Sequence, residues 1–281
     1  MFRTIFSSRN LFYLTLVVAL AVRIYGLTLP AQPYDIGTYH AWGSHLLSVG
    51  PQAFFGSIWS DYLPLPILTF ALPTYLSQLF SLDFTLVFKV TNTLIELLLL
   101  ALIIRSTGLN NKVIIALLLL APATIGNTTY WGQVDAIPSL LSLLSLSMLV
   151  TPKTLSTKST MLSALFYGMA VAYKPIMLLI SPILWLVAIK KKQVWQFPLV
   201  SGTIFFLTAL PFVKMPWEVI SFMYDRAVEQ AGTYPYLSIN AWNLWTITGN
   251  ISWVPDNLTL LGISGHAFGL FLFFTSLFLI F

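Results

Sequence analysis

Long apolar runs separated by short polar segments follow one another along most of this chain. A membrane-crossing helix needs about 20 predominantly apolar residues, or fewer where it packs inside a bundle. Runs of this kind lie at about 11–29, 84–104, 113–128, 136–150, 160–173, 175–189, 194–213 and 258–281. The pattern therefore predicts an all-α integral membrane protein, a helical bundle with about eight transmembrane helices.

One further apolar stretch, at 63–80, is predicted not to cross. Its prolines Pro64, Pro66 and Pro73 and its polar interruptions favour a helix that lies at the membrane interface. It belongs to a segment at about 30–83 that has no Lys or Arg. We expect this segment to be a long first extracytoplasmic loop carrying interfacial helices.

Charged residues separate into two groups along the predicted topology, and an excess of Lys and Arg marks the cytoplasmic side. The predicted cytoplasmic segments hold Arg3, Arg9, Arg105, Lys112, Lys153, Lys158, Lys190, Lys191 and Lys192. The predicted outer segments, mainly the loops at about 30–83 and 214–257, hold Asp35, Asp61, Asp83, Asp135, Glu218, Asp225, Glu229 and Asp256. Candidate chemistry is therefore sought on the outer face.

Composition agrees with a membrane protein and excludes several classes of function. The 281 residues are 57% hydrophobic and 8% charged, which no soluble domain of this size could bury. The net charge of +5 comes largely from the cytoplasmic loops, so it does not indicate nucleic-acid binding. The absence of cysteine excludes disulfides, thiol catalysis and thiolate metal sites, and three histidines without an H-E-x-x-H pattern do not indicate a zinc enzyme.

Alternatives to this topology stay open at two places. Ala19-Leu20-Ala21 resembles a signal-peptide cleavage site, although the apolar run continues past Arg23. The two short runs around Lys174 could form one long kinked helix, but that would export the cluster Lys190 to Lys192. We expect a single domain over residues 1–281, and we expect the chain to be incomplete at its C-terminus because it stops inside an apolar run.

Four polar segments meet on the predicted outer face. Asp35 follows the first span, Asp61 lies near the end of the first loop, and Asp135 enters a span in the string Trp131-Gly-Gln133-Val-Asp135. The fourth segment pairs Lys174 with the loop at 214–257, whose polar and aromatic members include Arg226, Tyr236, Asn240, Asn243 and Trp245.

Each of these residues also has a purely structural interpretation. Asp35 could cap a helix, Asp61 could be a solvated loop acid, and Asp135 could be an acid favoured by the dipole at a helix start. Lys174 could extend to the interface without a partner, and the aromatic residues could form an interfacial belt. Together, however, the segments offer carboxylates for acid–base work, cations for phosphate, and aromatic and carboxamide groups for sugar hydroxyls. They predict a substrate with a sugar, a phosphate and an apolar tail.

These residues, in this order, resemble the GT-C superfamily of polytopic glycosyltransferases, which use polyprenyl-phosphate-linked sugars. The resemblance is strongest to the prokaryotic group related to the GPI-anchor mannosyltransferase that adds the second mannose. The matching pieces are Asp35-Ile-Gly-Thr, Asp61-Tyr-Leu-Pro, Trp131-Gly-Gln-Val-Asp135, Lys174-Pro175, Tyr234-Pro-Tyr, Asn240-Ala-Trp-Asn243-Leu-Trp245 and Pro255-Asp-Asn. Two departures are Leu63, where the family commonly has Pro, and Ile176, where it commonly has Gln.

The resemblance implies an inverting hexosyl transfer, with mannose as the expected sugar and with Asp35 as the general base. Lys174 and Arg226 would offset the charge of the donor phosphate, and Trp131, Gln133, Asp135 and Asn240 would orient sugar or acceptor. The expected catalytic residues are Asp35, Asp61 and Asp135. The expected substrate-binding residues are Trp131, Gln133, Lys174, Arg226, Tyr236, Asn240 and Asn243.

No cofactor and no essential metal are expected, although the three catalytic aspartates could together hold Mg²⁺ or Mn²⁺. The expected partners are the lipid bilayer, a polyprenyl-phosphate sugar donor, and a glycolipid, oligosaccharide or protein acceptor, without nucleic acid. The expected location is a prokaryotic cell membrane, spanned several times, with the active site facing outward.

Two other functions stay open: a flippase or transporter of lipid-linked sugars, and a non-catalytic subunit of a glycan-assembly complex. Transporters tend to place ionisable residues near the middle of the membrane. Here only Arg23, Lys89 and Glu96 are predicted within spans. They could be structural contacts inside the bundle.

Overall fold

The computed structural model describes residues 8–151, 156–190, 195–239, 253–260 and 262–280. Its described part is mainly helical, as the apolar pattern predicts. The chain divides into two compact units, of which the first ends at Met223 and the second begins at Tyr224.

The first four helices are α1 (Ser8–Thr28), α2 (Pro33–Val49), α3 (Pro51–Ser57) and α4 (Pro64–Phe80). A proline occupies the first turn of α2, α3 and α4, where a missing backbone N–H costs nothing and the fixed φ favours the helix. The axis bends by 77° between α1 and α2. The predicted first loop therefore consists largely of helices.

The middle of the first unit contains the longest helix, α5 (Phe84–Thr107), followed by α6 (Lys112–Leu119) and α7 (Pro122–Ile125). A single turn of π-helix, Gly126–Trp131, continues from α7. The sequence pattern predicts one span at 113–128, and Lys112–Trp131 as a whole is long and apolar enough to cross a membrane. Its helix is interrupted at Ala121, because a proline disfavours the helical conformation of the residue before it.

The last helices of the first unit are α8 (Ala136–Val150), α9 (Thr157–Tyr173), α10 (Ser181–Lys190) and α11 (Gln196–Ala209). Short 3₁₀ turns at Pro175–Ile180, Leu210–Phe212 and Pro216–Glu218 connect or extend these helices. The predicted break at Lys174 is confirmed, since α9 stops at Tyr173 and Lys174 has an extended backbone. Helix α12 (Val219–Gly232) follows and continues into the second unit.

The second unit contains two small antiparallel ribbons and a helix. Strand β1 (Tyr236–Ile239) pairs with β2 (Trp253–Pro255), and β3 (Thr259–Leu260) pairs with β4 (Ile263–Ser264). Helix α13 (Gly265–Ile280) comes next. The predicted span at 258–281 is therefore wrong at its start, where Gly262 adopts a φ of +81° and turns β3 back onto β4.

The main core of the first unit is an aromatic cluster between α2, α4 and α5. The ring of Tyr39 stacks on Phe70 and on Phe88, with ring centroids 4.6 and 5.3 Å apart. Helices α2 and α4 approach closely at Gly43, where an added Cβ would lie 2.7 Å from the Phe70 carbonyl oxygen. Packing against α4 therefore fixes the rotation of α2, and with it the directions of Asp35 and Tyr39.

Helices long and apolar enough to cross a membrane occur in the described part of the chain. They are Phe84–Thr107 and Lys112–Trp131, and two bent helix pairs bring the number to four if each pair is one span. The bent pairs are 12–28 with 33–49, and 196–212 with 216–230. The fold thus agrees with a helical membrane protein, while the number of eight crossings stays a prediction.

The three charged residues predicted within spans are buried and bound. Arg23 donates to Glu96, with 2.6 Å between Nη2 and Oε1, and the two side chains are 2% and 0% exposed. Thr128 donates to the other Glu96 oxygen over 2.6 Å. Lys89 donates from Nζ to the carbonyl oxygens of Gly26 and Leu29, each at 2.7 Å. Helix α5 thereby binds α1 and the π-helical turn through polar contacts inside the bundle.

Candidate functional site

Asp35 lies in the first turn of α2, and its carboxylate accepts two hydrogen bonds from the segment after the π-helical turn. Its Oδ2 is 2.7 Å from Trp131 Nε1 and 2.8 Å from Gln133 Nε2. The structural interpretation of Asp35 as the helix cap is wrong, because Gln32 occupies that position and accepts from the Asp35 backbone N–H over 2.7 Å. The half-buried carboxylate is thus available for other contacts.

The π-helical turn and Gly132 place Trp131 and Gln133 beside Asp35. Gly132 ends the turn with a φ of +80°, a conformation that strains any other residue. The Trp131 carbonyl oxygen accepts from the Gln32 backbone N–H over 2.9 Å. A π turn is frequent at functional sites, and here it joins the start of α2 to the segment that enters α8.

Asn127 fixes the other side of this segment. Its backbone carbonyl oxygen accepts from the Gln133 N–H at 2.8 Å, and its Oδ1 accepts from the Ala136 N–H at 3.0 Å. The second bond satisfies a free N–H at the start of α8, which Asp135 leaves without a side-chain cap. Asp135 thus lies at the start of α8, where the helix dipole favours an acid, and its side chain does not cap the helix.

Tyr39 and Tyr62 extend the site and were not identified from the sequence. The Tyr39 hydroxyl donates to Gln133 Oε1 over 2.7 Å and lies 3.2 Å from the Tyr62 hydroxyl. The available signal was the spacing of Asp35 and Tyr39, since residues four apart share one face of a helix. A chain of hydrogen bonds therefore runs from Asp35 through Gln133 and Tyr39 to Tyr62.

Tyr62 is neutral over the physiological pH range. Burial raises the pKa of its phenol far above the ordinary 10.0, and the nearby carboxylates of Asp135 and Asp61 raise it further, against the lowering effect of the bond to Tyr39. A neutral phenol keeps its proton for hydrogen bonding. Its ring lies under the Lys174 ammonium, which is 5.4 Å from the ring centroid.

Lys174 and Asp135 form an ion pair with each other. The side chains are 27% and 49% exposed, so the pair lies open on one side. The structural interpretation of Lys174, a cation extending to the interface without a partner, is wrong because Nζ donates to Asp135 Oδ1. One of its three N–H groups serves this bond.

The remaining predicted site residues have other surroundings. Asp61 is half-buried and directly precedes Tyr62 in the loop before α4. In the second unit, Arg226 pairs with Glu229 on α12, and Tyr236 lies in β1 with its ring 4.9 Å from that of Trp253. Asn240 and Asn243 lie outside the described residues.

Among the described residues, no group of three His, Asp or Glu side chains is arranged to hold a metal ion. Asp35, Asp61 and Asp135 therefore do not form such a group. Comparisons of the chain with protein-family models, with curated proteins and with solved structures found no match.

The arrangement of the described groups suits polar recognition beside an apolar bundle. It offers a carboxylate held on one oxygen, a half-exposed indole, a carboxamide with fixed direction, and a cation held by a carboxylate. Indole faces and carboxamides bind sugars, carboxylates accept protons, and ammonium groups bind phosphate.

Proposed function

We propose that this chain is an inverting membrane glycosyltransferase that moves a hexose, expected to be mannose, from a polyprenyl-phosphate donor to an acceptor hydroxyl. The resemblance of its ordered motifs to the GT-C superfamily gives the reaction class. The observation that supports it most directly is the Asp35 carboxylate. Both of its hydrogen bonds go to Oδ2, and among the described residues nothing donates to Oδ1.

Asp35 would act as the general base through that second oxygen. The acceptor hydroxyl gives its proton to Asp35 while its oxygen attacks the anomeric carbon of the donor. The bond from that carbon to the phosphate oxygen breaks, and polyprenyl phosphate leaves with the electron pair. A phosphate needs no proton in order to leave, so one carboxylate is sufficient for inversion.

Lys174 would contact the donor phosphate while Asp135 holds it in place. The pair is neutral as a whole, but Lys174 has two N–H groups besides the one given to Asp135. A phosphate placed at the open side would add a second anion to the same ammonium. Asp135 is thus assigned a positioning role rather than proton transfer.

The topology that we propose has about eight crossings and an outward-facing site. It rests on the distribution of Lys and Arg and on the apolar runs. The donor's polyprenyl tail would then lie in the bilayer, with its phosphate near the aromatic and charged groups of the outer face.

Transport of a lipid-linked sugar is the second candidate function. Its support would come from ionisable groups inside the bundle. However, Arg23 and Thr128 both donate to Glu96, and Lys89 donates to backbone carbonyls. These contacts favour a structural role for the three groups, which favours the transferase over a transporter.

The test is release of polyprenyl phosphate from polyprenyl-phosphate-mannose by the reconstituted protein, with and without EDTA. We expect release that survives EDTA and that Asp35→Asn abolishes, because the amide cannot take the proton. The matched control is Asp225→Asn, which changes an exposed carboxylate of α12.

Three results would count against this assignment. Wild-type turnover in Asp35→Asn would remove Asp35 as the base, and an equal loss in Asp225→Asn would make the effect nonspecific. Net flux of the intact donor across the vesicle without phosphate release would replace the transferase with a flippase.

A further inference from the structure

A polar cleft of about 440 Å³ opens on the face of α2 away from Tyr39. Its lining combines Ile36, Gly37 and His40 of α2 with Ser77 and Gln78 of α4 and with the segment from Leu82 to Thr85. The His40 ring stacks on Phe84, with centroids 4.4 Å apart. None of these residues belongs to the hydrogen-bonded group around Asp35.

Several polar groups of this cleft have no partner among the described residues. The carboxamide of Gln78, the hydroxyl of Thr85 and the ring nitrogens of His40 make no hydrogen bond there, and all three side chains are exposed or half-buried. Asp83 uses one oxygen to cap α5, accepting from the Leu86 N–H at 2.9 Å, and its other oxygen is open. The cleft thus offers both donors and acceptors to a ligand.

The charge of the cleft disfavours an anionic ligand. Asp83 is its only charged lining residue, and its carboxylate already occupies the N-terminus of α5, where an anion would otherwise bind. The nearby cation Lys89 is fully buried, and its Nζ donates to two carbonyl oxygens. A neutral polyhydroxyl group fits these groups better than a phosphate does.

An apolar cleft of about 570 Å³ adjoins the polar one and shares Ile36, Asp83 and Thr85 with it. The rest of its lining is almost wholly apolar and comprises Leu27, Thr28, Leu29, Pro30, Ala31, Pro33 and Leu86. A ligand occupying both clefts would have a neutral polar head and an apolar tail. No Lys or Arg lines either cleft, which disfavours a phospholipid of negative charge.

We propose that the two clefts bind a neutral glycolipid, with its sugar in the polar cleft and its lipid chain in the apolar one. This inference goes beyond the proposed function, because the polar cleft opens on the face of α2 away from Tyr39, whereas Asp35 shares the face of Tyr39. The sugar would stack near His40 and bond to Asp83 and Gln78, leaving the donor's anionic phosphate to the Lys174 side.

The test is native mass spectrometry of the protein released from bilayer discs that contain no sugar detergent. Three lipids of identical chains are offered together: a monohexosyl diacylglycerol, phosphatidylglycerol and phosphatidylcholine. We expect the wild type to keep the hexosyl lipid in preference to the other two.

Two variants address the polar cleft and one serves as the control. Gly37→Phe fills the cleft, since an added Cβ at Gly37 meets nothing within 4 Å, and it should lose the hexosyl adduct. Asp83→Asn keeps the helix cap, because Asn caps as well as Asp. It removes the negative charge to which the sugar hydroxyls would donate, so it should also reduce the adduct. Gly56→Phe places the same ring at an open position of α3 and should bind as the wild type does.

Equal adducts for the three head groups in the wild type would overturn the proposal, as would an unchanged adduct in Asp83→Asn and Gly37→Phe. The donor-cleavage assay separates this result from the proposed function. A selective adduct without donor cleavage keeps the glycolipid site and removes the transferase. Cleavage without a selective adduct removes the glycolipid site and leaves the transferase in place.

Discussion

The carboxamide of Gln133 is oriented from both of its ends. Tyr39 donates to its oxygen and Asp35 accepts from its nitrogen, so the two contacts agree on a single orientation of a group that could otherwise be flipped. The direction of the Asp35 carboxylate depends in turn on that nitrogen and on Trp131. Tyr39, which has no hydrogen bond to Asp35 among the described residues, therefore helps to position it through Gln133.

Tyr39→Phe tests this positioning. The phenylalanine ring keeps the stacking on Phe70 and Phe88 but removes the bond to Gln133, so we expect stability to fall by about 1 kcal/mol. The maximal rate of donor cleavage should fall by roughly tenfold, with little change in KM for the donor.

Tyr62→Phe is the control for that variant. It removes the contact between the two hydroxyls and leaves the bond from Tyr39 to Gln133 in place. Its maximal rate should lie closer to the wild type than that of Tyr39→Phe. The reverse order would place the important hydroxyl on Tyr62.

Lys174 and Asp135 should behave as one unit toward the donor. Lys174→Met and Asp135→Asn are each expected to raise KM for the donor, and the double variant should raise it no further, because either change removes the held ammonium. Additive effects on KM would contradict the positioning role of Asp135. The stability of both single variants should change little, since the side chains are 27% and 49% exposed.

At the scale of elements, the π-helical turn and Gly132 decide where the site forms. Gly132→Ala should lower stability by about 1–2 kcal/mol, because the alanine must adopt a φ of +80° and its Cβ would lie 3.0 Å from that of Ala31. Donor cleavage should fall as well, since Trp131 and Gln133 would shift away from Asp35. Thermal unfolding in detergent and the cleavage assay measure the two effects.

Gly126→Ala is the matched control at the start of the same turn. Its added Cβ meets nothing within 4 Å and its φ is ordinary for a helix. We expect a neutral or slightly stabilising effect. A loss as large as that of Gly132→Ala would mean that the turn tolerates no side chain at all.

Apolar runs predicted the elements better than they predicted the interruptions. The run at 136–150 coincides with α8 and the break at Lys174 was expected, because hydrophobic length and a proline act locally. The π-helical turn was not predicted, since it depends on contacts with α1 and α5 that are distant in sequence. The ribbon β3–β4 was missed because its residues join the apolar run at 258–281 without a charged residue to mark the break.

In the candidate site, too, the sequence identified individual residues but not the contacts between distant ones. Asp35, Trp131 and Gln133 were selected by residue type and motif, and the structure places them in contact. That Lys174 would pair with Asp135 could not be derived, because no local pattern relates two residues 39 positions apart. The roles of all these residues in catalysis stay predictions.

For the whole molecule, the pair Arg23 and Glu96 joins the first helix to the longest one. Glu96→Met leaves a buried guanidinium without its carboxylate and should lower stability by about 3–5 kcal/mol. The double variant Arg23→Met, Glu96→Met removes both charges and should recover most of that loss. If the double variant loses as much stability as the two single variants together, the unpaired charge is not the cause of the loss.

The proposed topology predicts opposite accessibility for two positions. The chain has no cysteine, so Ala53→Cys in α3 and Lys158→Cys in α9 each provide a unique thiol at an exposed residue. A membrane-impermeant maleimide added to intact cells should label the first and not the second. Labelling of both thiols from outside would mean that the predicted cytoplasmic segment around Lys158 lies on the outer side.

The buried pair also bears on how this protein is made. Arg23 leaves the ribosome 73 residues ahead of its partner, which at about 5–20 residues per second is a delay of roughly 4–15 s. During that interval the first helix carries an unpaired charge, which raises the free energy of membrane insertion by up to about 2.5–3.5 kcal/mol. The nascent chain would therefore hold α1 at the insertion machinery until α5 emerges, and the two helices would enter the bilayer together.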